Sequence, residues 1–267
     1  MIPKVLTIAG SDSGGGAGIQ ADIKTFQELD VYGMSAITAL TAQNTLGVQS
    51  VYPIPLDMIL EQLQSIQDDL PPDAVKTGML FSNIIIDAVS KKIKDYGWGN
   101  LVVDPVMIAK GGARLLQEEA IRAIREKLLP LATITTPNIP EAEVLTEMNL
   151  DTLERRKGAA KLLCKLGSDH VVIKGGHGNG ETLIDLFYDG IAFTELTSSR
   201  IDTRHTHGTG CTFAAAIASG LAKGQQVDTA VKNAKAFIQC AIEMELGIGS
   251  GHGPTNHWAY KRASVRA

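Results

Sequence analysis

The sequence predicts an α/β domain built on a mostly parallel sheet with helices on both faces. Three observations carry this. Short apolar strand-like runs alternate with helical periodicities, the pattern of repeated βαβ units. Hydrophobic residues make up 44% of the 267 residues, enough for a large core. The uncommon polar residues gather just past the ends of the strand-like runs, where parallel sheets bind their ligands. No repeat, low-complexity tract or linker interrupts the pattern, so one domain over residues 1–267 is expected.

Each element follows from local pattern. Val5–Ala9 is a short buried-type strand, and Gly16–Leu29 places Ile19, Ile23, Phe26 and Leu29 on one helical face. Ser35–Leu40 is strand-like, and Gln49–Pro55 resembles an edge strand ended by prolines. Asp57 is read as the cap of a helix carrying Ile59, Leu60, Leu63 and Ile66. Strand Ala74–Met79 and helix Ile84–Ile93 repeat the unit, and Leu101–Asp104 is an apolar strand ending in an acid. A helix at Glu118–Leu129 leads to strand Ala132–Thr136, helices Glu141–Thr146 and Leu153–Leu166, then strand His170–Lys174. Asp189-Gly190 joins Leu183–Tyr188 to Ala192–Leu196 as a β-hairpin. Helices Gly210–Lys223 and Val227–Leu246 close the pattern, the latter with a continuous apolar stripe.

Composition narrows the function. The net charge is −4 with no basic block, which disfavours a nucleic-acid partner. Three widely spaced cysteines (Cys164, Cys211, Cys240) form no C-x-x-C motif, which points to a reducing, cytoplasmic setting without structural zinc. The first residues read as a strand and its loop rather than a signal peptide, and no apolar run approaches the ~20 residues of a membrane span.

The most informative stretch is His207-Gly208-Thr209-Gly210-Cys211-Thr212-Phe213-Ala214. Gly208 and Gly210 permit a tight turn, and the helix that follows adds free N–H groups and partial positive charge. Together these suit a phosphate. Cys211 stands at the mouth of that turn, where a helix N-terminus is expected to stabilise its thiolate for use as a base or nucleophile. On these residues alone, a Gly-rich turn with a buried, inert Cys stands beside that reading. Lys174 and Asp104 each end a strand and aim charge at the same crevice. Asn138-x-x-Glu141 begins a helix; Glu141 suits Mg²⁺ held through water, or equally a capping pair.

Several motifs lead elsewhere. Gly16-Ala17-Gly18-Ile19-Gln20-Ala21 has dinucleotide-fingerprint spacing, but Ser35–Thr41 holds no acid for a ribose. Gly175–Thr182 has P-loop spacing, but Glu181 replaces the lysine and would repel phosphate. His205, His207 and Cys211 lack a fourth nearby ligand for zinc.

Seven segments together carry a resemblance: Ala9-Gly10-Ser11-Asp12-Ser13-Gly14-Gly15-Gly16-Ala17-Gly18-Ile19-Gln20-Ala21-Asp22, Thr41-Ala42-Gln43-Asn44-Thr45, Lys76-Thr77-Gly78-Met79-Leu80, Asp104-Pro105-Val106-Met107, Thr136-Pro137-Asn138-x-x-Glu141-Ala142, Lys174-Gly175-Gly176-His177 and His207-Gly208-Thr209-Gly210-Cys211-Thr212. The chain resembles the hydroxymethylpyrimidine/phosphomethylpyrimidine kinases of thiamine biosynthesis, in the ribokinase superfamily, over nearly its whole length. The resemblance implies a three-layer α/β/α ribokinase-like fold and a cytoplasmic enzyme, homodimeric in this family. It implies two successive phosphorylations of 4-amino-5-hydroxymethyl-2-methylpyrimidine by ATP with Mg²⁺. Gln43 matches the residue that pairs with the pyrimidine, an amide that both donates and accepts. Gly10, Asp22, Met79 and Val106 match other pocket positions. Asn138 and Glu141 match the Mg-ATP motif, with Glu141 toward the metal; Lys174 and Asp104 match phosphate-side positions. Cys211 matches the catalytic position at the end of the Gly208-Thr209-Gly210 cradle. A pyridoxal kinase of the same branch is the alternative. Some of those enzymes carry a Cys after the D-P-V-M motif, whereas Ile108-Ala109-Lys110-Gly111-Gly112 has none and Gln43 is present. A nucleotide-binding protein without catalysis is the reading from another class, opposed by Cys211, Glu141 and Lys174.

Overall fold

The computed structural model describes residues 1–107, 117–176 and 182–264. Its centre is one sheet of nine strands: β1 (Lys4–Asp12), β2 (Tyr32–Asn44), β3 (Gly47–Pro53), β4 (Ala74–Thr77), β5 (Leu101–Val103), β6 (Ile134–Thr135), β7 (His170–Ile173), β8 (Thr182–Tyr188) and β9 (Phe193–Ser199). Their order is β3-β2-β1-β4-β5-β6-β7-β8-β9. The inner strands pair in parallel, from β2 through β1, β4, β5 and β6 to β7. Both edges are antiparallel: β3 returns along β2, and the expected hairpin β8–β9 extends β7.

Helices cover both faces. On one lie α2 (Leu56–Asp69), α3 (Asn83–Asp95), α4 (Glu118–Ala123), α5 (Ile139–Thr146) and α6 (Leu153–Lys165), packed on Leu6, Ile8, Val75, Leu101 and Val103. On the other lie α1 (Gly18–Glu28), α7 (Thr209–Ala222) and α8 (Val227–Glu243), packed on Val5, Ala74, Val102, Ile134 and Val172. Alternate residues of one strand thus feed two separate cores, as a doubly covered parallel sheet requires. Short α9 (Ala259–Ser264), which the periodicity does not announce, follows α8.

Three boundaries depart from expectation for local reasons. Gly14–Ala17 is held as a loop by the Asp12 carboxylate, so α1 starts at Gly18 rather than Gly16. Pro55, not Asp57, is the N-cap of α2; Asp57 lies in the first turn. The helix expected over Glu118–Leu129 is α-helical only to Ala123, then widens into a π turn (Ile124–Leu128) and tightens into a 3₁₀ turn (Leu129–Leu131). Pro130, which has no N–H to donate, sits in that last turn. The 108–112 loop lies outside the described residues.

Candidate active site

The carboxyl ends of β1, β4, β5, β6 and β7 open into one cavity of about 730 Å³. It runs from Gln43, Val48 and Val51 at one end to Ser198, Ile201, Ile238 and Ile242 at the other. This is the place the strand-end rule assigns to a ligand, beside the point where the chain leaves β1 for neighbours on both sides.

At the first end, β1 leads into a loop tied to its own last residue. Asp12, 3% exposed, accepts the N–H groups of Gly14 (2.8 Å), Gly16 (3.0 Å) and Ala17 (2.8 Å). Its Oδ2 also lies 2.9 Å from His207 Nε2. Burial works against the Asp12 carboxylate, but His207 and these N–H groups outweigh it and hold its pKa below the usual value. Gln43, Met79 and Val106 line this end, and the backbone of Gly10 passes so close that a Cβ there would stand 2.5 Å from Met79 Cε. One residue expected here is elsewhere. Asp22 is fully buried and does not line the cavity; it sits behind Lys76, which does. Lys76 Nζ lies 3.0 and 2.8 Å from the two Asp22 oxygens, and Thr7 Oγ1 donates to Oδ2 at 2.6 Å. Burial opposes the ammonium, but the neighbouring anionic groups, Asp22 first, outweigh it and push the Lys76 pKa up.

Lys76 is the functional candidate that the sequence analysis left without a role. A signal was present: a lysine inside the all-buried strand Ala74–Thr77 must have a partner.

In the middle of the cavity, Lys174 Nζ is 2.9 Å from Asp104 Oδ1. The capping reading of Asn138 and Glu141 is met. Asn138 caps α5 by accepting the Glu141 N–H (2.9 Å), and Glu141 Oε2 accepts the Asn138 N–H (2.8 Å), a reciprocal capping box. The Glu141 carboxyl also lines the cavity. Burial pushes its pKa up to about 7; Asp104 adds to this, while Lys174 and the N–H groups of Asn138 and Met107 oppose it.

The folded chain therefore holds the Glu141 proton more tightly than the unfolded chain does. Its contribution to stability falls as pH rises from about 4.5 to about 7 and stays lowered above that. Glu141→Gln keeps an acceptor for Asn138 but never ionises. Its melting temperature relative to wild type is expected to rise between about pH 5 and about pH 8; a constant difference would contradict this.

The start of α7 forms the wall between the Asp12 loop and the Lys174–Asp104 pair. Gly208 is its N-cap with φ +84°, and a Cβ there would stand 1.8 Å from the Gly16 carbonyl oxygen, so the close approach of the two loops needs glycine. Thr209, Gly210 and Cys211 follow on the cavity wall, where the first helical turn leaves N–H groups without helical partners. The lowered thiol pKa expected of Cys211 is not found. Enclosure pushes it up to about 11, and Asp22 and Asp104 add to this; Lys76 and the Gly18 N–H work the other way. Desolvation and two carboxylates outweigh the Lys76 ammonium and the Gly18 N–H. Cys164 and Cys240 are free and only partly buried, and their thiol pKa values are also raised by burial.

His205 and His207 do not assemble a metal cluster; among the described residues no group of three or more His, Cys, Asp or Glu stands ready to hold one. No helix of the described residues is long and apolar enough to cross a membrane.

A mostly parallel sheet covered on both faces, with Lys76, Lys174, Asp104, Glu141 and the Gly208–Cys211 turn around one strand-end cavity, is the arrangement of a ribokinase-like small-molecule kinase. The family model for phosphomethylpyrimidine kinase matches residues 12–256, and the chain belongs to that family. It is 57% identical over 265 residues to the hydroxymethylpyrimidine/phosphomethylpyrimidine kinase of Bacillus subtilis, covering 99% of this chain and 98% of the relative. It is also 47% identical to the pyridoxine kinase of that organism over 262 residues, covering 97% of each. Among solved structures, pyridoxal kinase from Staphylococcus aureus in complex with AMP-PCP and pyridoxal superposes with a TM-score of 0.90 at 41% identity, covering 98% of this chain and 96% of that one.

Proposed function

We propose that this chain transfers the γ-phosphate of ATP to the hydroxymethyl oxygen of 4-amino-5-hydroxymethyl-2-methylpyrimidine. It then transfers a second to the resulting monophosphate, for thiamine biosynthesis. The observation that carries this reading is the single cavity joining Gln43 to Lys174, Glu141 and the Gly208–Cys211 turn in a member of this family. In each step the bond between the γ-phosphorus and its bridging oxygen breaks as the acceptor oxygen bonds to phosphorus, and ADP leaves. Gln43 holds the ring, with Gly10, Met79 and Val106 shaping its slot. Asp22 acts from behind by fixing Lys76. The N–H groups of the Gly208-Thr209-Gly210 turn and the Lys174 ammonium receive the transferred phosphate. Cys211, in its thiolate form, takes the hydroxyl proton in the first step and becomes the thiol.

Glu141 and Asp104 fit Mg²⁺: a cation that keeps several waters needs only one or two carboxylates beside the nucleotide phosphates. Bound there, the ion would neutralise charge on those phosphates. Asn138 caps α5 and so fixes Glu141 toward them. The apolar side chains Ile201, Ile238 and Ile242 at the far end suit the nucleotide base.

We place the enzyme in the cytoplasm, which its free cysteines favour. We further propose a homodimer through the edge strand β3, around which Leu46, Val48, Tyr52 and Met58 are exposed. Pyridoxal phosphorylation is the second reading, favoured by the likeness to pyridoxine kinase and pyridoxal kinase. Incubation with ATP, Mg²⁺ and the pyrimidine alcohol, with products followed by mass, is expected to show first one and then two added phosphates.

A further inference from the structure

The geometry around Gln43 goes beyond holding a ring. We propose that His207, fixed by Asp12, and Thr41 are positioning residues that set which end of the Gln43 amide meets the substrate. They thereby select a ring carrying an acceptor nitrogen next to an exocyclic amino group. The inference rests on the pyrimidine reading above.

The backbone of Gln43 is pinned first. Ser13 Oγ accepts the Gln43 N–H and donates to the Gln43 carbonyl, both at 2.8 Å. The amide nitrogen is placed 3.3 Å from His207 Nε2 and the oxygen 3.2 Å from Thr41 Oγ1, but hydrogen bonding calls for the two ends to be exchanged. Amide nitrogen and oxygen are told apart by what they bond to, and both neighbours give the same answer. Asp12 Oδ2, 2.9 Å from His207 Nε2, belongs to an ionised carboxylate that only accepts, so Nε2 carries a hydrogen whether the ring is neutral or charged. A protonated Nε2 cannot accept from an NH₂ group, so the amide oxygen faces His207 and shares with Asp12 the single Nε2 hydrogen. Thr41 has one hydroxyl hydrogen and two acceptors in reach, the Ser11 carbonyl at 2.9 Å and the Gln43 amide at 3.2 Å; given to the nearer, it leaves Oγ1 as an acceptor for Gln43. The amide nitrogen therefore faces Thr41.

The His207 ring has nowhere else to go. Its backbone donates to the Gly253 carbonyl (3.0 Å) and accepts from Thr255 (3.2 Å), and its Cδ2 stands 2.4 Å from where a Cβ on Gly16 would be. What remains for a ligand on Gln43 is one N–H and one oxygen lone pair in fixed order. A ring with acceptor nitrogen and amino group side by side satisfies both, whereas a ring without the amino group leaves that lone pair without a donor.

The test compares dissociation constants for 4-amino-5-hydroxymethyl-2-methylpyrimidine and its des-amino analogue in wild type, His207→Phe, His207→Gln and Thr41→Val, with kcat measured alongside. Wild type is expected to prefer the amino compound by roughly ten- to hundredfold. His207→Phe and Thr41→Val should reduce that preference to within about threefold through weaker binding of the amino compound, with kcat little changed. His207→Gln, which restores an N–H donor, should recover most of it. If His207→Phe does not fold, Thr41→Val decides. Preference retained in the variants, equal losses on both rings, or a fall in kcat alone would overturn the inference. A wild type that shows no preference for the amino compound would instead remove the pyrimidine reading itself.

Discussion

Cys211→Ala is expected to slow the first phosphorylation by about 10²–10⁴-fold and the second by less than about tenfold. The two acceptors differ in one proton. A primary alcohol must lose its hydrogen as it attacks, whereas a phosphate monoester is already largely ionised near neutral pH, with a second pKa of about 6. Only the first needs a base. The enclosed thiol, pushed up to about 11, adds a pH signature. A base with a raised pKa is mostly protonated at neutral pH, so kcat of the first step should rise as pH is raised above about 7. The alanine variant should be flat there, and so should the second step. Steady-state rates on the alcohol and on the monophosphate, across pH, check all three. Equal losses in both steps would contradict this division of labour.

Lys76→Met is expected to cost about 3–5 kcal/mol of stability, because it leaves the Asp22 carboxylate buried without its counter-charge. For a chain of this size that lowers the melting temperature by roughly 10 °C. Both side chains of the pair are 0% exposed, so water cannot take the place of the lost ammonium. The double variant Lys76→Met/Asp22→Leu removes both charges and should recover most of the stability. It should recover none of the activity if the ammonium acts on the cavity, whose wall Lys76 forms. Thermal melts and activity of the two variants separate these effects. A single variant as stable as wild type would mean that Asp22 is protonated and the ion pair idle.

The parts of the fold that could be read from sequence are those with strong periodicity. The parallel strands and helices α1, α3, α6 and α8 were legible because one continuous apolar face dictates each. The helix ends were less so, since they depend on single side chains. The Asp12 carboxylate delays α1, and Pro55 rather than Asp57 caps α2. The π turn after α4 and the short α9 are set by tertiary packing and carry little local pattern.

The site shows the same division. Residue types at strand ends brought Gln43, Asp104, Lys174 and Glu141 to one cavity. Pairings between distant segments were not legible: Asp22 and Lys76 are 54 positions apart, Asp12 and His207 are 195 apart, and no spacing rule joins either pair. The thiol of Cys211 was misjudged for a related reason. Its helix N-terminus is visible in sequence, but the enclosure and the carboxylates that raise its pKa come from other elements.

The central claim is that this cavity serves the two pyrimidine phosphorylations. Its most direct test is an ATP-consumption assay with Mg²⁺ that compares kcat/KM for the pyrimidine alcohol, its monophosphate and pyridoxal, with products resolved by mass. Turnover of both pyrimidines, with pyridoxal much weaker, is the predicted result. A preference for pyridoxal, or no phosphate transfer to either pyrimidine, would contradict the account.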